Sequence, residues 1–135
     1  MKLLLLFLLF FLPLQDKISV ENAWMRNASK GMNSALYFSL KNNSDKADVL
    51  YQVESSAAEL VQIHETYEDG EMTGMREVKE IVIEPNSVFN FKPRSHHIML
   101  IRLKKDLKEG SEEEITLHFK NAGPIKFKAQ VRKVN

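Results

Sequence analysis

The chain has 135 residues, 44% of them hydrophobic and 27% charged, which suits one folded domain and excludes both intrinsic disorder and a two-domain enzyme. Its 19 Lys and Arg against 18 Asp and Glu leave a formal charge of +1, too balanced for the basic footprint of a nucleic-acid binder. Cysteine is absent, which removes disulfides, thiolate metal sites, iron–sulfur clusters and thiol catalysis, so any soft metal ligand here must be methionine.

In chain order, the first segment reads as an export signal. Met1-Lys2 precedes an unbroken apolar stretch from Leu3 to Leu12, followed by Pro13 and Leu14. One positive charge ahead of roughly ten apolar residues has the form of a secretory signal peptide. The stretch is short for a membrane span, which needs about 20 residues. Residues 1–15 are therefore expected to be a signal peptide and residues 16–135 the working domain, with a periplasmic or otherwise exported location and no stable membrane anchor. No A-x-A cleavage site stands between Pro13 and Lys17, so the mature start is not fixed. A lipid-anchored form is disfavoured because there is no cysteine to carry the lipid.

From Asp16 onward the apolar period is mostly two and the runs are short, which predicts an all-β domain. Leu36, Phe38 and Leu40 alternate with Tyr37 and Ser39 up to Asn42-Asn43-Ser44-Asp45, a cluster that favours a turn through side-chain to backbone hydrogen bonds. Val49 to Val53 and Leu60 to His64 read as the next strands, with at most one helical turn over Glu54 to Leu60. Glu68-Asp69-Gly70-Glu71 is a hairpin signal, with Asp69-Gly70 expected to supply the positive φ angles. Ile81 to Ile83 ends at Pro85, and Val88 to Phe91 ends at Pro93. His97 to Leu103 is apolar on both faces, as in a central strand. After the Lys108 to Ser111 turn, Ile115, Leu117 and Phe119 alternate with polar residues. In the last strand Ile125, Phe127, Ala129 and Val131 face inward. Some nine short strands at such intervals predict a two-sheet antiparallel sandwich with Greek-key connections, folded as one domain.

Metal chemistry centres on His97-Ile98-Met99, because residues two apart in a strand share a face and set an imidazole beside a thioether. His64 closes an earlier strand, and Met75 lies just past the hairpin signal, so a hairpin can bring these two together. Taken singly, each reads more simply as core filler or as a solvated histidine. Together they supply two nitrogens and two sulfurs, in the spacing H-x10-M-x21-H-x-M.

That pattern, with His64-Glu65-Thr66, Glu68-Asp69-Gly70, Met75-Arg76, Val88 to Pro93, His97 to Leu100 and Lys108-Glu109-Gly110, resembles the periplasmic copper chaperone family PCuAC from about Asn22 to the C-terminus. The resemblance implies a cupredoxin-like β-sandwich that holds one Cu(I) per chain through His64, Met75, His97 and Met99. It also implies delivery to the copper centre of cytochrome c oxidase or to an assembly partner, and a monomer is expected. The ligand set agrees with this independently, since neutral thioethers and imidazoles suit a soft monovalent ion better than Zn(II) or Mg(II).

The other candidates carry less. His96 points to the face opposite His97. Met72 is a spare ligand or a lid over the copper, His118 is surface, and Met25 and Met32 pack near Trp24. Enzyme readings fail for want of a nucleophile constellation, a phosphate loop or the carboxylate partners of catalytic zinc, and blue-copper electron transfer needs a thiolate. Two rival functions stand beside the chaperone: copper scavenging or storage, and a metal-free sandwich module for adhesion or scaffolding.

Overall fold

The computed structural model describes residues 17–134; the expected signal segment, residues 1–15, lies outside them. Among the described residues the chain forms ten strands and no helix: β1 (Ile18–Arg26), β2 (Ser34–Asn42), β3 (Asp48–Glu54), β4 (Ala58–Asp69), β5 (Met72–Glu77), β6 (Ile81–Ile83), β7 (Val88–Phe91), β8 (His96–Leu103), β9 (Glu112–Phe119) and β10 (Gly123–Arg132). Hydrogen bonding runs continuously in the order β5-β4-β8-β2-β1-β10-β9-β3-β6, with β7 also paired to β2. The path folds over on itself into a sandwich. Leu36, Phe38, Ile63, Ile98 and Leu100 from its first half share one core with Leu50, Ile83, Ile115, Leu117 and Phe119 from its second. Each such side chain contributes about 1.5–3 kcal/mol on burial.

The corner is β1. Its pairing with β2 shifts between Glu21 and Trp24, and Asn22 takes a φ of 55° in that bulge. Beyond the bulge β1 bonds to β2 on one side and to β10 on the other, and the β1–β10 pair is parallel. The expected all-antiparallel pairing is corrected at this one ladder. Parallel neighbours need a long connection, and nearly the whole domain lies between Arg26 and Gly123.

Local chemistry explains the turns. Ser44 donates its backbone N–H to Asn42 Oδ1 at 3.1 Å, the side-chain contact that the Asn/Ser/Asp cluster implies. In the β4–β5 hairpin Asp69 pairs with Met72, so the two central residues are Gly70 and Glu71 rather than Asp69 and Gly70. Gly70 has a φ of 61°, the requirement of a turn with glycine at its first central position. Ser56 and Ala57 form a turn, and the helical turn expected over Glu54 to Leu60 gives way to the start of β4. Met25 is wholly buried, as expected of a packing residue, but Met32 is 61% exposed; it sits in the turn before β2 and does not pack.

Candidate metal centre

The site lies on the outer face of the β5-β4-β8-β2 region. Strand alternation gives β8 two faces: Ile98 and Leu100 enter the core, while His97 and Met99 point outward. On β4, Ile63 is buried, so Gln62, His64 and Thr66 share the outward face. The β4–β8 register sets His64 opposite His97 and Gln62 opposite Met99. The β4–β5 register sets Met75 opposite Thr66. All four sequence-predicted residues therefore occupy one face of three adjacent strands.

The two imidazoles meet edge to face, with ring centroids 5.8 Å apart and planes at 63°. Met75, His97 and Met99 line a cavity of about 510 Å³ together with Thr66, Tyr37, Arg26 and Arg94. His64 is outside that lining and stands against His97.

Each imidazole is held by one nitrogen and free at the other. A carbonyl oxygen only accepts, so the 3.0 Å contact between His97 Nδ1 and Ser95 O places the proton on Nδ1 and the lone pair on Nε2. His64 Nε2 lies 2.8 Å from Gln62 Oε1, which likewise leaves the His64 lone pair on Nδ1. His97 Nε2 and His64 Nδ1 are both buried and have no hydrogen-bond partner among the described residues. Buried polar atoms are rarely left so. Two orphaned lone pairs on facing rings are what metal-ligating histidines present, with the second nitrogen fixing ring orientation. Burial and then the neighbouring His97, opposed by Glu77, hold the His64 imidazole below its ordinary value of 6.5, so its lone pair is available at neutral pH.

His97 is only 4% exposed although it faces outward. Pro93 and Arg94, from the turn between β7 and β8, stand over the same cavity. That turn is closed by Lys92 N–H to His96 O at 2.9 Å and Ser95 N–H to Lys92 O at 3.2 Å, with Arg94 at a φ of 65°. A non-glycine residue in this left-handed region is strained, and the reward is a carbonyl aimed at His97. Met75, by contrast, is 57% exposed at the sheet edge.

The remaining candidates separate cleanly. His96 faces away from His97, as expected, with Nε2 3.2 Å from Glu65 Oε2 and its ring edge-on to Phe89 at 5.1 Å. Met72 alternates to the face opposite Met75 and is 75% exposed, so neither the spare-ligand nor the lid role fits its place. His118 is partly buried, 3.2 Å from Glu54 Oε2 and beside Tyr51. Sequence reasoning missed Gln62 and the Ser95 carbonyl. Gln62 was accessible to it, since it shares a face with His64 at a separation of two.

The LpqE-like family, described by its name as one of lipoproteins, matches residues 18–131. A protein of Leifsonia xyli subsp. xyli, named as lipoprotein Lxx21020, is 33% identical over 105 residues, covering 77% of this chain and 63% of its own length. The uncharacterized protein RP573 of Rickettsia prowazekii is 34% identical over 113 residues, covering 80% of this chain and 62% of its own. The chain thus spans a little under two thirds of the length of either curated relative. Among solved structures, the copper-bound PCuAC domain from PmoF2 matches with a TM-score of 0.74 and 28% identity, over 87% of this chain and 94% of that domain. The CuI form of DR1885 from Deinococcus radiodurans matches with a TM-score of 0.65 and 26% identity, over 84% of this chain and 78% of its own.

Proposed function

Because the chain belongs to the LpqE-like, PCuAC-type family, we propose that it is an exported copper chaperone that holds one Cu(I) through His64, Met75, His97 and Met99. The observation that carries this reading is the pair of adjacent imidazoles, each with one buried nitrogen that has no hydrogen-bond partner among the described residues, on the same sheet face as the two thioethers. Such a donor set is neutral, so loading a monovalent ion adds one charge and requires no proton release from a thiol. Thioether softness selects Cu(I) over harder ions, and methionine is not drawn into disulfides in an oxidising compartment.

Release is as much a part of the task as capture. The two histidines are positioned by hydrogen bonds and burial, whereas Met75 stands exposed on an edge strand. An acceptor's ligands would replace Met75 first and the histidines last. The copper centre of cytochrome c oxidase, or an assembly partner, is the acceptor we propose. Export through a signal within residues 1–15 fits the apolar run that follows Lys2 and the lipoprotein names of the family and of one relative, although this chain has no cysteine for a lipid.

The deciding experiment is a Cu(I) competition titration against a chromophoric chelator, followed by mixing of the loaded protein with apo acceptor. One equivalent bound, lost on replacing Met75 and Met99 by Leu and transferred to the acceptor, supports the chaperone. Binding that is weak and unaffected by those substitutions refutes it in favour of a metal-free module, and tight binding without transfer leaves storage.

A further inference from the structure

Each of three proposed ligands has a chain neighbour that points to the opposite side of its strand: Glu65 follows His64, Arg76 follows Met75 and His96 precedes His97. These three neighbours meet. Glu65 Oε1 accepts from Arg76 Nε at 2.6 Å, and Glu65 Oε2 lies 3.2 Å from His96 Nε2. One carboxylate on the central strand β4 thus ties together β5 and β8, directly behind the residues that face the cavity.

The tie to β5 is reinforced. The Arg76 guanidinium stacks over the Tyr67 ring, 4.8 Å from its centroid. Tyr67 in turn lies across Gly74, where an added Cβ would come within 2.6 Å of the Tyr67 hydroxyl oxygen. Gly74 and Arg76 flank Met75, so both of its chain neighbours are held against β4 from the rear. Among the described residues β5 is an edge strand bonded only to β4, and the Met75 side chain is mostly exposed on the front.

We propose that Glu65, acting through Arg76, is a positioning residue that places the Met75 sulfur against His64 and His97 and so governs copper affinity without touching the metal. The inference rests on the copper-binding reading above. A hydrogen bond between an arginine and a carboxylate is charge-assisted and stronger than a neutral one, and partners behind metal ligands commonly alter affinity by about 10–100-fold. Arg102 provides an internal control: its Nε donates to Glu59 at 2.6 Å, also between β8 and β4, yet neither residue adjoins a proposed ligand.

The experiment compares the full chain with Glu65→Gln, Arg76→Leu, Arg76→Lys, Gly74→Ala and Arg102→Leu. Cu(I) affinity is read by chelator competition, the number of sulfur ligands by X-ray absorption, and folding by urea denaturation. The expected result is a loss of about 10–100-fold in affinity and one fewer sulfur for Glu65→Gln and Arg76→Leu, with partial recovery in Arg76→Lys. Gly74→Ala, which displaces Tyr67, reaches the same defect by a different route, and Arg102→Leu leaves both readouts unchanged. Unaltered affinity and two sulfurs in Glu65→Gln and Arg76→Leu overturn the inference while the copper reading stands. An equal loss in Arg102→Leu also overturns it, by showing a general effect of surface ion pairs. Absence of Cu(I) binding by the unaltered chain removes the copper reading and this inference together.

Discussion

His64 and His97 face one another across the β4–β8 ladder with ring centroids 5.8 Å apart, and the nitrogen without a hydrogen-bond partner among the described residues is Nδ1 on one ring and Nε2 on the other. Opposite tautomers arise because Gln62 engages the Nε2 of His64 while the Ser95 carbonyl engages the Nδ1 of His97. Two rings on neighbouring strands thereby donate to different acceptors and each keeps one nitrogen lone pair unprotonated.

The thioethers can be tested apart from the fold. Met75→Leu removes an exposed side chain and is expected to change stability by no more than about 0.5 kcal/mol. Met99→Leu is a volume-conserving change of a half-buried residue and is expected to cost less than about 1.5 kcal/mol. Each single variant should bind Cu(I) more weakly in chelator competition, and the double variant should lose stoichiometric binding while its urea midpoint stays close to that of the parent.

Met99→Cys separates holding from handing over. A thiolate binds Cu(I) more tightly than a thioether, so the variant should retain its metal and surrender it more slowly. The rate of copper loss to excess chelator, followed by absorbance, is expected to fall, and transfer to an apo acceptor to stall. A rate equal to that of the parent would show that Met99 does not contribute to the site.

The copper-free protein should lose stability as the medium becomes mildly acidic. Folding lowers the affinity of His64 for a proton, through burial first and then the nearby His97, against the pull of Glu77. The unfolded chain therefore takes up the proton first as pH falls below about 6.5, and stability declines from there until the folded ring is protonated as well. Urea midpoints measured from pH 7.5 to 5 should show this slope in the parent, and a shallower one in His64→Gln.

Asn42 anchors the end of β2 remote from the cavity. It is 1% exposed, donates from Nδ2 to the carbonyls of Lys46 and Ile83, and accepts at Oδ1 from the backbone of Ser44. Asn42→Ala leaves those carbonyls without this donor and is expected to cost about 1–3 kcal/mol, seen as a lower urea midpoint with Cu(I) affinity unchanged.

What could be read from sequence depended on where each strand lies. β9 and β10 alternate cleanly because one face meets the core and the other meets solvent, and Ile115, Leu117 and Val131 are buried as the period required. β1 was blurred by its bulge, which breaks the period of two between Glu21 and Trp24. β5 gave no apolar signal because an edge hairpin carrying Met72, Thr73 and Met75 has almost no core to enter. The four candidate ligand residues were singled out by spacing and resemblance, and strand alternation alone separated His96 from His97. The facing of His64 and His97 was hidden, since it depends on a strand register that pairs two residues 33 positions apart. The junction of Glu65, Arg76 and His96 was hidden for the same reason.

The place of β5 in the sheet bears on the proposed cycle of metal uptake and release. Past Thr66 the hairpin leaves the β8 ladder, and its far end is secured chiefly by its own cross-strand bonds. A swing of that arm would break none of the ladders that surround Leu36, Ile98 and Leu117. On the proposed copper-binding reading, exchange of the metal at the β5 side would need only a local fluctuation of low free energy, far short of global melting.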